Sequence, residues 1–166
     1  IFDLSTKAAE VYGTLDPSLY TLSFHTDTTG DPGSEIPSPL AYSSQSDVIY
    51  ARLTDNATGC FDYVPLELIV NPLPVLLTDE YVYELCNSGD PAEYEVFDLT
   101  SPQVTGAFLA NADGIAITFH RSVAEAQANT NAVTNPEAFQ NEAPGVQTLV
   151  VRFTIEDSGC YRTGFL

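Results

Sequence analysis

The 166-residue sequence contains no methionine and no tryptophan, and its positive charge is confined to Lys7, Arg52, Arg121, Arg152 and Arg162. Against these stand 23 acidic side chains, for a formal net charge of -18. So negative a surface repels phosphate backbones and anionic headgroups, which argues against nucleic-acid binding. No apolar run approaches the roughly 20 residues of a membrane helix, so membrane insertion is not expected. Nothing has the succession of a signal peptide. The catalytic fingerprints are missing as well: no Gly-x-Ser-x-Gly, no His-Glu-x-x-His, no phosphate-cradling glycine loop and no dinucleotide motif. Carboxylate neighbours such as Asp79-Glu80, or Glu95 near Asp98, are what chance places in so acidic a chain, and they define no glycosidase pair. An enzyme is therefore not expected.

The sequence does contain a repeat. Phe2-Asp3-Leu4-Ser5 returns as Phe97-Asp98-Leu99-Thr100, and Ser23-Phe24-His25 as Thr118-Phe119-His120. Pro39-Leu40-Ala41-Tyr42 returns as Pro136-Glu137-Ala138-Phe139, Ala51-Arg52-Leu53 as Val151-Arg152-Phe153, and Gly59-Cys60-Phe61 as Gly159-Cys160-Tyr161. The spacing is 95 residues for the first two blocks, 97 for the third and 100 for the last two, so the insertions fall between blocks, in loops. A period of one small domain marks a tandem array.

Strand patterns dominate both copies. Tyr20, Leu22 and Phe24 alternate with Thr21, Ser23 and His25; Ile115, Ile117 and Phe119 do the same. Leu149, Val151, Phe153 and Ile155 form a longer strand with Arg152 and Thr154 facing out, matched by Ile49, Ala51 and Leu53. Leu66, Leu68 and Val70 close the first copy, and Tyr81, Tyr83 and Leu85 alternate just before Cys86. Turn formers separate them: Thr29–Gly33, Asn56–Gly59 and Asn87-Ser88-Gly89-Asp90-Pro91. One helical turn is expected, at the capping-box spacing Ser122-Val123-Ala124-Glu125, as decoration outside the core. Asn71-Pro72-Leu73-Pro74 breaks the strand pattern, because proline fixes φ and donates no amide. The fold expected is all-β: two tandem Ig-like β-sandwich modules. Residues 1–71 form a repeat lacking its leading segment, 72–74 a stiff linker, and 75–166 a repeat lacking its closing strand. The missing pieces are expected before Ile1 and after Leu166.

Three cysteines are present, Cys60, Cys86 and Cys160. Cys86 and Cys160 belong to one repeat, 74 residues apart, a separation at which sandwiches bridge their sheets. Cys60 matches Cys160, so its partner is expected upstream of Ile1. Such bridges imply an oxidising, extracytoplasmic location. Three buried free thiols are the alternative. A zinc site is disfavoured, since there is no Cys-x-x-Cys and His25 and His120 fall in different repeats. Both histidines are read as outward strand positions.

No cofactor is expected, with structural calcium as the weaker alternative. Its candidate ligands are Asp27, Asp31 and Glu35 in one loop, and Asp79 and Glu80 after the prolines. Asn56-Ala57-Thr58 fits the N-glycosylation sequon, and Thr28 in Asp27-Thr28-Thr29 is a weak O-glycosylation candidate.

The order of these blocks resembles the tandem Ig-like repeats of large surface and adhesin-like proteins of Bacteroidota, often flavobacteria. It runs from a leading segment with Cys86 through Phe97-Asp98-Leu99-Thr100, Thr118-Phe119-His120, an Ala-rich insert, Asn135-Pro136-Glu137-Ala138-Phe139, Val150-Val151-Arg152 and Gly159-Cys160-Tyr161. In the first copy it ends in Asn71-Pro72-Leu73-Pro74. The resemblance implies type IX secretion, exposure at the cell surface, roles in adhesion or gliding, and no catalytic residues. Cys86 and Cys160 match the family's Cys and Gly-Cys positions; Asn87 stands where Asp is usual, and the first copy's insert is short. The function expected is an extracellular structural or adhesive repeat of a stalk or filament. Its partners would be neighbouring repeats or identical subunits, with surface glycans or other cells as further candidates. The alternatives are a filament subunit completed by strand exchange, and a carbohydrate-binding module of a secreted enzyme that uses Tyr42, Tyr50, Tyr81 and Tyr83 as a platform.

Overall fold

Alternating apolar residues need a sheet with one face on a core, and each repeat builds one. The computed structural model describes residues 1–89 and 93–166; of the turn expected at Asn87–Pro91, Asp90 and Pro91 lie outside the described residues. The chain divides into two compact units, Ile1–Val70 and Asn71–Leu166.

In the first unit, strands β1 (Tyr20–His25), β2 (Asp47–Asp55) and β3 (Phe61–Leu68) form an antiparallel sheet in that order. The second unit repeats it. After β4 (Val96–Phe97), the strands β5 (Ile115–His120), β7 (Val150–Ile155) and β8 (Tyr161–Phe165) make the three-stranded sheet, while β4 pairs with β6 (Phe139–Gln140) as a second layer. In the first unit that second layer is a single bridge, Phe2 with Tyr42, at the equivalent residues. The registers agree: Phe24 faces Ala51 and Phe119 faces Val151.

The cores follow the repeat as well. Leu4, Phe24, Ile36, Ile49, Ala51 and Leu68 are buried together in the first unit. Leu99, Val104, Phe108, Leu109, Phe119, Phe139, Leu149, Val151 and Phe153 are buried together in the second. Full burial of each large apolar side chain is worth about 1.5–3 kcal/mol. The all-β, two-module fold is thus the one expected.

Three expectations need correction. More than one helical segment forms: α1 (Ala8–Tyr12), α2 (Pro102–Phe108) and α3 (Val123–Ala128). Pro102 starts α2 where its missing amide costs nothing, and the helix plants Val104 and Phe108 in the core. Helix α3 starts as expected, with the Ser122 hydroxyl accepting from the Glu125 amide at 3.3 Å, and Asn129 ends it in a left-handed conformation. It is not mere decoration, because its Ala126 is fully buried.

The second correction concerns the sheet's outer face. Arg152 does not face solvent: α3 covers it. Its Nη1 donates to the carbonyls of Ala126 (2.7 Å) and Gln127 (3.0 Å), its Nε donates to Thr154 Oγ1 (3.0 Å), and its guanidinium lies 3.4 Å from the Tyr161 ring centroid. His25 and His120, also expected outside, are 4% and 0% exposed. His120 shares hydrogen bonds with Thr118 Oγ1 (2.9 Å) and the Thr130 carbonyl (2.9 Å), and His25 with the Ser23 (2.8 Å) and Ser34 (3.1 Å) hydroxyls. These are satisfied structural histidines, buried because loops fold over the polar face of each sheet.

Third, Tyr81–Leu85 is not a full strand. The pairing is one parallel rung, Glu80 beside Phe165, in which Tyr81 N donates to the Phe165 carbonyl (2.9 Å) and Phe165 N donates to the Asp79 carbonyl (2.7 Å). Tyr81 and Tyr83 still pack edge-on against Phe108 and Phe97 at 6.2 and 5.4 Å. This leading segment passes so close to β8 that a Cβ on Gly164 would sit 3.0 Å from the Asp79 carbonyl oxygen and 3.1 Å from the Phe108 ring. We predict that Gly164→Val destabilises the second unit by about 1–3 kcal/mol in urea denaturation. An unchanged midpoint would mean that the leading segment is not held against β8.

Candidate functional site

Cys60 and Cys160 stand in repeat-equivalent places, and the same turn sets both. In each copy a β-hairpin tip runs Thr/Ser-Gly-Cys. Gly59 and Gly159 take φ of +74° and +71°, which a side chain would strain. The Asp55 and Ile155 amides donate to the carbonyls of Cys60 and Cys160 at 2.8 and 2.9 Å. The Thr58 and Ser158 hydroxyls accept from the Cys60 and Cys160 amides at 3.2 and 3.3 Å. In the first copy the Asp55 carboxylate also accepts from the amides of Thr58 (2.9 Å) and Ala57 (2.8 Å), which hold it below the ordinary carboxylate range. Cys60 is exposed and Cys160 partly so.

Cys86 lies elsewhere. From the Glu80–Phe165 rung the leading segment runs parallel to β8, so Cys86 lies six residues onward while Cys160 lies five residues back. At about 3.3 Å per extended residue, eleven residues of offset correspond to about 36 Å, which puts the two toward opposite ends of the unit. Cys86 lines a cavity together with Asn141 and Gly145–Leu149 there, and it is exposed. A disulfide needs Cα atoms within about 7 Å. The expected Cys86–Cys160 bridge within one module is therefore not formed: both are free thiols, as is Cys60. The sequence put them in one domain correctly but carried no sign that their two strands run parallel.

The unit consequently has a direction. Residues before Asp79 lie toward the Cys160 end, whereas β8 runs away from that end to Leu166, whose amide and carbonyl bond to Leu149 at 2.9 and 2.7 Å. The chain enters at the Gly-Cys end and leaves at the leading-segment end.

The calcium candidates do not converge. Asp27 accepts from Thr29 Oγ1 (2.6 Å) and the Thr29 amide (2.9 Å), and Asp31 accepts from the Gly33 amide (2.9 Å). Glu35 pairs by its backbone with His25, and Asp79 and Glu80 contribute backbone to the rung on β8. Among the described residues no group of three or more His, Cys, Asp or Glu side chains could hold a metal ion. Thr28 and Asn56 are exposed, and the Asn56 carboxamide oxygen accepts from the Thr21 hydroxyl (2.7 Å). The four tyrosines do not form one platform. Tyr81 and Tyr83 pack on the core, Tyr42 bridges Phe2, and Tyr50 stacks edge-on against Tyr63 at 6.5 Å on the outer face. Among the described residues no helix is long and apolar enough to cross a membrane.

A family model described as the Flavobacterium inter-domain disulphide bond domain matches the chain twice, over residues 1–74 and 82–166. No curated protein matches the chain, and no solved structure does.

The Thr29 hydroxyl, and then its amide, hold the Asp27 carboxyl below its ordinary value. A depressed folded pKa contributes stability above the unfolded carboxylate's range, and this fades as pH falls through the folded value. We predict that NMR titration places the Asp27 midpoint below 3.8 with or without Ca²⁺. A midpoint at or above that value would mean that the Thr29 hydrogen bonds do not form, and one lowered further by Ca²⁺ would restore the loop as a metal site.

Proposed function

The chain belongs to the Flavobacterium inter-domain disulphide bond domain family, and from that premise we propose that it is a two-repeat segment of a longer extracellular array whose modules are cross-linked end to end. The observation that carries this is the placement of Cys86 and Cys160 at opposite ends of one module. Cysteines so placed cannot staple their own module, which leaves them free to bond to other modules. In this reading the leading-segment cysteine of one module, such as Cys86, bonds to the Gly-Cys cysteine of the module that follows. Cys60 and Cys160 correspondingly bond to leading-segment cysteines of the modules before them.

An oxidising compartment outside the cytoplasm follows from such bonds. So does a mechanical role, since a disulfide across each junction turns a chain of small sandwiches into a covalently reinforced stalk. Adhesion or presentation of a binding tip at the cell surface is the function such a stalk serves. The role is non-enzymatic: repetition supplies the same spacer many times, and the polar residues that repeat, His25 with His120 and Arg52 with Arg152, serve packing. The acidic surface keeps such an array soluble.

Peptide mapping under non-reducing conditions tests the pairing. After oxidation of the purified chain, we expect no disulfide within the monomer. Covalent oligomers should instead join the Cys86 peptide to a Cys60 or Cys160 peptide of another copy, and Cys86→Ser should remove those linkages. Recovery of a Cys86–Cys160 bond from the monomer would defeat the end-to-end scheme.

A further inference from the structure

The rung between Leu149 and Leu166 is the last of the β7–β8 ladder, and two flanking segments run on past it. On one side run Val82–Cys86, and on the other Gly145–Thr148. Among the described residues, no backbone–backbone hydrogen bond involves Val82–Cys86 or Gly145–Thr148. Between them opens a cavity of about 740 Å³ whose floor is Phe97, Leu99, Phe139 and Leu149. Val146 at its rim is 88% exposed, and Leu85 across from it 43%. An apolar floor between two stretches of unpaired backbone is the form of a missing strand.

The first repeat shows the same place filled. Its equivalent rung is Ile49 with Leu66, and there the ladder continues: Val48 faces Glu67 and Asp47 faces Leu68. The Val70 amide then donates to the Ser46 hydroxyl at 2.9 Å. Leu68 is 7% exposed and belongs to the cluster of Leu4 and Ile49, flanked by Phe2 and Tyr42. Those four are the repeat equivalents of Leu99, Leu149, Phe97 and Phe139, so the floor is the same, with an apolar side chain standing on it.

We infer that the second unit's groove is a strand seat, and that its occupant is an extended segment continuing β8 in the same polypeptide, of the chemistry of Glu67-Leu68-Ile69-Val70. The second residue after Leu166 sets an apolar side chain on the floor, and its neighbours point outward. The segment lies antiparallel to Gly145–Thr148 and parallel to Val82–Cys86, taking backbone hydrogen bonds from both. Supply in the same chain is favoured because the Leu149–Leu166 rung already aims the backbone into the groove. A tethered strand also arrives at about millimolar effective concentration without a second molecule. The inference does not rest on the disulfide scheme, although filling the groove would order the segment that carries Cys86.

The test extends the chain after Leu166 by a copy of residues 67–72 and compares it with the chain as it stands. In hydrogen exchange, the Val82–Cys86 and Val146–Thr148 amides of the extended chain should slow by at least about tenfold. The second unit should also melt several degrees higher. An extension with aspartate in place of its leucine should lose both effects. Equal exchange in the original and extended chains overturns the proposal, as does full protection by the aspartate variant. Self-association of the original chain with those same amides protected would place a second copy in the groove, and would overturn the in-chain assignment.

Discussion

One parallel rung, Glu80 beside Phe165, organises the second module. Two hydrogen bonds tie the leading segment to the outer edge of β8, and several features follow. Tyr81 and Tyr83 are carried onto Phe108 and Phe97. Gly164 is left with no room for a side chain, whereas the equivalent Val64 of the first unit is 41% exposed. Because the rung is parallel, everything after it moves away from the hairpin that holds Cys160. A sandwich with antiparallel pairing at that edge would have brought Cys86 back toward Cys160 and permitted an internal staple.

The two modules share a sheet but cover its polar face differently. Arg152 has α3 above it, and its Nε and Nη1 find acceptors there and at Thr154. Arg52 stands at the same register and stacks on Phe61 at 3.8 Å, but its buried Nε has no hydrogen-bond partner among the described residues. Around it His25, Tyr50 and Phe61 all meet Tyr63 edge-on, so aromatic rings do in the first copy what helix carbonyls do in the second. The stack of arginine on an aromatic ring is the constant, and the insertion that supplies α3 is the variable. This is how repeats diverge without losing their frame: the ladder registers stay, and the loops change what lies over them.

The functional argument draws on two independent lines. The family is named for disulfides between domains, and the geometry separates a module's cysteines to its two ends. Neither line requires a catalytic group, and the buried His25, His120 and Arg152 make hydrogen bonds that hold loops to sheets. A chain that buries modest cores in modules of roughly 70 to 95 residues gains from cross-links. Placed at junctions, they would restrain the orientation of neighbours rather than the fold of each unit.

Much of this was legible in the sequence. Two copies, the strand positions, the Thr/Ser-Gly-Cys tips and the proline break are properties of local order and periodicity, and a linear string records them. The sequence also showed that Cys60 and Cys160 are one position seen twice. It did not show that Arg152 and His120 would be buried, because an alternating strand distinguishes its two faces but not what folds over the second. Nor did it show α2, whose Val104 and Phe108 enter the core from a segment too short to display a helical period. The direction in which Cys86 travels was decided by the tertiary structure alone. Composition and spacing place two cysteines in a domain, but only the pairing of a leading segment with the last strand, a contact between residues 85 apart, determines whether they meet or lie at opposite ends of it.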